Sequence, residues 1–279
     1  MLQADHGQHF PVLPLDLRLH KVSITIHCVV ILVTNSILPL ALYFSLNYTT
    51  SLPQKTIIPI INAVIGAPTL GRWILRSWRL FHAEIFRPLA SSNPWAFDYL
   101  NWNLTIGIIY LIPVLALASR RPFGLRLFSL ILPLTVIQCS IQLLLLESFF
   151  LLGFRTPFSF SSVKAGSEFP AGVVLLAEDI CAVDGNLGRP FRSALHKRIA
   201  ASPTLETSLR QLDWIWGLSG VTVGATLIGI IFGVENDEIG VVIAFTIPWI
   251  WAFIFTILTI HLVRCSLEKE KQVLVSGKE

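Results

Sequence analysis

The residues best suited to chemistry lie in Glu178-Asp179-Ile180-Cys181-Ala182-Val183-Asp184-Gly185, where three carboxylates fall within seven residues of an otherwise apolar segment. The basic residues Arg189, Arg192, Lys197 and Arg198 follow closely. Clustered carboxylates are hard oxygen ligands of the kind Mg²⁺ takes, and Mg²⁺ commonly bridges phosphates. Glu178, Asp179 and Asp184 are therefore candidate Mg²⁺ ligands, with Arg189 and Arg192 placed to bind an anionic substrate group. In an ideal helix Glu178 and Asp184 stand about 120° apart, so they converge only if the helix ends at Asp184, as Gly185 permits. The competing reading is a capped surface helix whose acids pair with its own loop.

Glu147 is the second candidate. It lies in Leu143-Leu144-Leu145-Leu146-Glu147, inside a long apolar run. An ionised group there costs a few kcal/mol unless it faces a partner or a cavity. A buried carboxyl holds its proton more tightly, which suits a general acid or proton carrier. Glu147 and Asp184 are thus the candidate catalytic residues, and an interhelical hydrogen bond is the structural alternative for Glu147. Gln138 and Gln142 belong to the same helix but to its opposite side. Arg72, Arg76, Arg79 and Arg87 fall within about 80° of one another on a helix. They suit anionic headgroups first and a substrate phosphate second, for which Arg72 and Arg76 are nearest the membrane. Trp249 and Trp251 beside Pro248 suit ordinary packing or lipid contact first and the lining of a pocket second. No P-loop, GxSxG, HExxH or Rossmann glycine motif occurs.

These groups must be positioned by membrane helices. Hydrophobic residues make up 53% of the 279 and charged residues 14%, and mean hydropathy is +0.68. Apolar runs near 20 residues cross a bilayer, and in lipid the backbone must satisfy itself as helix. The sequence predicts an all-α, polytopic membrane protein with six transmembrane helices at about 22–46, 56–75, 102–119, 127–153, 214–233 and 239–264, with a flexible tail at 265–279. With six spans, 17 of the 21 Lys and Arg residues fall on the side of the two termini, which predicts cytosolic N- and C-termini. Arg120, Arg121 and Arg126 in the third loop run against that bias. The basic residues follow topology, so nucleic acid is not an expected partner, whereas the bilayer and a lipophilic small molecule are. The first apolar run is too long for a signal peptide and is expected to remain as an uncleaved span.

The connections add detail. The second loop is expected to continue span two as an amphipathic helix along the headgroups, ended by Pro88. Glu84 and Asp98 are expected partners of its basic face. The fourth loop, 155–211, is expected to hold two helices: one near 171–183, then a break through Gly188 and Pro190, then one opened by Ser202-Pro203 that runs into span five. In span five, Gly220 and Gly224 form a GxxxG pair, read as close packing of spans five and six or as a helix-mediated oligomer contact. His27, Asn35 and Asn62 are expected to bond between helices. Asn47-Tyr48-Thr49 is a sequon predicted to face the lumen and a candidate glycosylation site. Asn103-Leu104-Thr105 is predicted to begin on the cytosolic side, unmodified. The four cysteines show no ligand spacing and are expected to be free thiols.

At Arg87-Pro88-Leu89, at Trp95-Ala96-Phe97-Asp98-Tyr99-Leu100-Asn101-Trp102 and at Glu178 to Gly185, the chain resembles a family of fungal multi-pass membrane proteins of undefined activity, often encoded beside secondary-metabolite genes. The resemblance covers most of the chain. It implies a fungal source and a part in making a lipophilic product, and it carries over no catalytic residue. The motif pattern of small integral membrane terpene cyclases is not matched. Three functions follow as alternatives: a membrane-embedded enzyme acting on an isoprenoid or polyketide intermediate, a metabolite exporter, and a non-catalytic scaffold. The endoplasmic reticulum is expected over the plasma membrane.

Overall fold

The structure is a computed structural model and describes residues 21–90, 95, 97–119 and 124–276. Residues 1–20, Arg120 and Arg121 lie outside the described residues, as does the side chain of His27. The chain runs as α1 (Lys21–Leu32), a π-helical turn (Val33–Ile37), α2 (Leu38–Thr49), α3 (Gln54–His82), α4 (Tyr99–Ala118), α5 (Gly124–Ser129) and α6 (Ile131–Leu151). It continues as α7 (Gly172–Asp179), a second π-helical turn (Ile180–Asp184), α8 (Gly188–Ala200), α9 (Pro203–Gly233) and α10 (Asp237–Ser276). Among the described residues there is no strand, only two isolated β-bridges.

Six helical stretches are long and apolar enough to cross a membrane: Cys28–Thr49, Gln54–His82, Tyr99–Ala118, Gly124–Leu151, Pro203–Gly233 and Asp237–Glu270. Each overlaps one of the six expected spans. Several overshoot a bilayer core of about 30 Å, since 29 residues of α3 rise about 43 Å and 31 of α9 about 46 Å. The overshoot, residues 83–90 and 97–98, and the connection 152–202 build a broad polar cap at one end of the bundle. The other end carries the short connections 50–53 and 234–236.

Lipid offers apolar side chains no reason to leave it, so such helices associate through close packing and polar contacts. The packing is closest where α9 meets α6. A Cβ at Gly217 would come within 2.6 Å of Leu144, one at Gly220 would overlap the Ser140 hydroxyl, and one at Gly224 would overlap Ile137. The glycine stripe therefore seats span five on span four. Gly220 also faces span six, where a Cβ would come within 3.2 Å of Trp251, so the expected packing of spans five and six is joined by a closer seat on span four. Near the short-loop end, Tyr43, Ile57, Ile61, Phe128 and Phe245 form the buried core, and the two phenylalanine rings stack at 5.0 Å. There Arg126 reaches Asp237, the first residue of α10, at 2.8 Å and the carbonyl of Val234 at 3.2 Å. The arginine that ran against the charge bias is thus neutralised by the acidic hairpin beside it.

Four local expectations are corrected. The second-loop helix does not continue to Pro88, because α3 ends at His82; Arg87 folds back to donate to the carbonyls of Leu80 (3.2 Å) and Phe81 (2.5 Å), which closes the helix end. Nor does the arginine stripe lie wholly against headgroups, since Arg76 is buried. Gly188 and Pro190 do not prevent a helix but open one, α8. A proline in the first turn loses no hydrogen bond, and Gly188 takes φ +61°, where its Hα faces the Ile85 carbonyl that a side chain would strike. Finally, the stretch expected to be a flexible tail continues α10 to Ser276, held by buried Glu270, which pairs with Arg198 and Ser202.

Candidate functional site: a buried ion-pair network in the cap

Five segments converge under the cap. Arg76 comes from the overshoot of α3, Asp98 from the second loop, Ser161 and Ser162 from a tight turn in the fourth loop, Glu178 and Asp179 from α7, and Arg192 with His196 from α8. Local sequence explains each placement. Asp98 is the N-cap of α4, its Oδ1 accepting from the amide of Asn101 at 2.9 Å. The turn at 160–163 closes through reciprocal backbone hydrogen bonds between Phe160 and Val163 and holds Ser161 at φ +45°. Such a backbone costs a non-glycine residue free energy and persists only where its surroundings impose it. Here they do, because the Ser161 hydroxyl accepts from the amide of Tyr99 (2.7 Å) and donates to Asp179 (3.1 Å).

Arg192 is the hub and is fully buried. Its guanidinium reaches Glu178 at 2.5 Å, Asp179 at 2.6 Å and Asp98 at 3.3 Å. Arg76 reaches Asp98 at 2.6 Å and Asp184 at 2.5 Å, and donates to the carbonyl of Asp179 at 3.1 Å. Glu178 also accepts from Ser162 and lies 2.8 Å from the His196 ring. Asp179 accepts from the amide of Leu100 at 3.0 Å. Two guanidiniums thus face four carboxylates, three of them without solvent contact. Burial alone would raise the Glu178 pKa, but the hydrogen bond from His196, the charge of Arg192 and the Ser162 hydroxyl outweigh it and hold the carboxyl below its usual range. Asp179 goes the other way. Burial, with repulsion from Asp98 and Glu178, pushes it up to about 7 against the pull of Arg192.

Glu147 is buried at the cap end of α6 and pairs with Arg210 of α9 at 3.1 Å. Arg210 also holds Glu206 at 3.1 Å, donates to the Phe169 carbonyl and lies 3.3 Å above the Phe150 ring. Next to it Asp213, fully buried, accepts from the amides of Gly172 (2.6 Å) and Val173 (2.8 Å) and so caps α7 from another helix. Gln138 and Gln142 face away, toward Asn103, at 2.7 and 2.6 Å. Asn62 donates to the Leu115 carbonyl, and Asn35 bonds within its own helix. These polar residues fall in separate contacts rather than along one path.

The sequence candidates are therefore sorted by the fold. Glu178, Asp179, Asp184, Arg76 and Arg192 come together; Glu147 belongs to a second cluster; Arg72 is exposed, and Arg189 lies outside the cluster, 3.6 Å from Glu84. The metal reading of Glu178, Asp179 and Asp184 does not fit the donor set. Their oxygens already accept from arginine, serine, histidine and backbone donors, and among the described residues no group of three His, Cys, Asp or Glu could hold a metal ion. Asn47 is at the opposite end of the bundle, where its amide and the hydroxyls of Tyr43 and Tyr48 all donate to Glu238. Trp251 packs edge-on against Trp216 at 5.2 Å and bonds Ser219, which is helix packing. Ser161, Ser162, His196 and Asp213 escape sequence reasoning. Serines in a turn carry no charge signal, and His196 becomes Arg192's neighbour only once α8 is a helix.

Six apolar spans beneath a polar cap define a multi-pass integral membrane protein. Within that class, the chain belongs to the family described as domain of unknown function DUF8766, whose model matches residues 3–274. No curated protein and no solved structure matches it.

Proposed function

We propose that the protein is a non-catalytic integral membrane scaffold in a fungal pathway to a lipophilic product, holding a rigid polar cap on the cytosolic face of the endoplasmic reticulum. The observation that carries this reading is that each carboxylate suited to chemistry is engaged by an arginine from another segment: Glu147 by Arg210, Asp184 by Arg76, and Glu178 and Asp179 by Arg192. Carboxylates tied in this way fasten segments together. The pathway context rests on the resemblance of the motifs around Asp98 and Asp184 to the fungal family. The cytosolic placement rests on the excess of Lys and Arg on the cap side.

A second reading, a membrane-embedded enzyme acting on an isoprenoid or polyketide intermediate, is favoured by one place in the cap. Asp179, with its raised pKa, adjoins the strained Ser161 backbone and a π-helical turn, features that concentrate at functional sites. In that reading Asp179 rather than Glu147 or Asp184 holds the proton.

Metabolite profiling of a deletion strain complemented with wild type or with E147Q/D184N, at matched protein level in the membrane, separates catalysis by Glu147 and Asp184 from the scaffold. The scaffold predicts that deletion lowers the product and that the variant restores it. Accumulation of a precursor in the variant strain overturns the scaffold reading.

A further inference from the structure

The stretch that follows α6 has its polarity partly inverted relative to a soluble loop. Thr156 and Ser161 point inward, 2% and 1% exposed, although Ser159 is exposed. Leu152, Phe154 and Phe158 point outward, 69%, 54% and 65% exposed, while Phe160 and Val163 pack inward. A solvated loop of this composition would bury the phenylalanines and expose the hydroxyls.

The arrangement is built rather than slack. Residues 155–168 close on themselves, with the Thr156 amide donating to the Ser167 carbonyl (2.9 Å), the Gly166 amide to the Thr156 carbonyl (2.8 Å) and the Thr156 hydroxyl to the Lys164 carbonyl (2.7 Å). Arg155 pairs with Glu168 at 3.2 Å across the base. Phe158 is fixed on this closed hairpin, and Leu152 and Phe154 lie on the stem that leads into it from α6.

The apolar tip also continues an existing lipid-facing surface. On α6 the exposed residues Ile141, Leu145 and Phe149 recur every four positions, which is one stripe of a helix. The stripe lies within a span, so it faces acyl chains. Leu152 extends it past the helix end, and Phe154, packed edge-on against Phe149 at 5.9 Å, carries it onto the hairpin. Exposed Lys164 stands on the hairpin, and exposed Arg155, paired with Glu168, stands at its base. Apolar side chains rimmed by basic ones suit the boundary between acyl chains and anionic headgroups.

We propose that the hairpin 152–168 is a membrane-dipping element, with Leu152, Phe154 and Phe158 inserted into the acyl–headgroup boundary and Arg155 and Lys164 at the phosphates. The fourth connection is then only partly an aqueous loop. Its first third tethers the cap to the bilayer surface, and its remainder, α7 and α8, forms the polar body of the cap. The occupant of the apolar face is lipid, because the face is continuous with the lipid stripe of α6.

The test uses the full chain with its native cysteines, reconstituted in vesicles of neutral phosphatidylcholine with one quarter phosphatidylglycerol. A photoreactive benzoylphenylalanine replaces Phe158 in one sample and exposed Lys197 of α8 in another. After illumination, adducts are identified by intact mass. The proposal predicts a lipid adduct at 158 at least about tenfold above that at 197, as an inserted ring and an aqueous side chain should differ. Equal and low lipid labelling at the two positions overturns it. So does a protein–protein crosslink at 158, which would assign the face to a second copy. Substituting an aromatic by a larger aromatic at an exposed site preserves folding, and the yield at 197 reports on integrity of the cap.

Discussion

Replacing Arg192 by Met is the sharpest perturbation of the cap. The methionine fills much of the same volume, so the effect is electrostatic rather than a cavity. It leaves Glu178, Asp179 and Asp98, all solvent-free, with Arg76 as the one guanidinium still in the cluster. Breaking a buried pair in this way costs about 3–5 kcal/mol, because a charge is left without compensation. That is a large share of the roughly 5–15 kcal/mol that holds a folded domain. The bundle has its own packing along α6 and α9, so the loss should appear first as local opening of 172–200. Hydrogen exchange read by mass spectrometry on peptides from that region measures it directly. A change of 3–5 kcal/mol in the opening free energy lowers protection by about a hundredfold to a thousandfold or more. Peptides from α9 in the membrane should change little. R192K should lie between wild type and R192M, since one ammonium cannot serve three carboxylates from a planar fork. R192M/E178Q should recover part of the loss by removing one of the stranded charges. Protection in 172–200 within about threefold of wild type in R192M, in protein inserted normally, would refute the reasoning, since that is under about 1 kcal/mol.

Other outcomes follow from the same geometry. Asp179 is raised from 3.8 to about 7, so the folded cap binds a proton that the open cap releases; its stabilising contribution is full below about pH 4 and is lost as pH rises through 7. Glu178 is lowered, so its contribution has the opposite sense and is lost as pH falls below its ordinary value of 4.5. Exchange of 172–200, corrected for intrinsic rates, should therefore show protection declining from pH 5 to pH 8 in wild type, with that slope flattened in D179N. In α9, G220A should destabilise the bundle by about 1–3 kcal/mol through overlap with Ser140, and S140A/G220A should recover part of it, as thermal unfolding in nanodiscs would show. D213N removes one of two acceptors capping α7 and should cost about 1–2 kcal/mol, seen as faster exchange at Gly172 and Val173. R126A breaks a partly solvated pair with Asp237 and should cost under about 1 kcal/mol, an effect that shrinks with added salt.

The bundle was legible in the sequence because bilayer thickness sets a length and lipid excludes charge; the number of runs and their order could be read, while their ends, which overshoot the bilayer, could not. The glycines of span five announced close packing, but not against which helix, since a 3.6-residue stripe names a face and not its neighbour. Glu147 was recognisable as a carboxylate in a span, yet nothing in linear order joins positions 147 and 210. The cap was harder. Glu178, Asp179 and Asp184 stood out by composition, and Arg192 by nearness, but Gly188 and Pro190 disguised the helix that aims Arg192 inward. Asp98 was marked only as a surface partner, because its role as both N-cap and shared carboxylate depends on α3 overshooting the bilayer. Ser161 carries no mark at all, since its strained backbone is imposed by Tyr99 and Asp179 from other segments.

The central claim is that the buried carboxylates fasten the cap and do not carry out a reaction. The most direct test is the amount of pathway product per molecule of membrane-inserted protein in a strain carrying D179N. The fastening account predicts that this ratio equals the wild-type ratio, with any fall in product matched by a fall in protein. Wild-type protein in the membrane with the product gone and a precursor accumulating would contradict it.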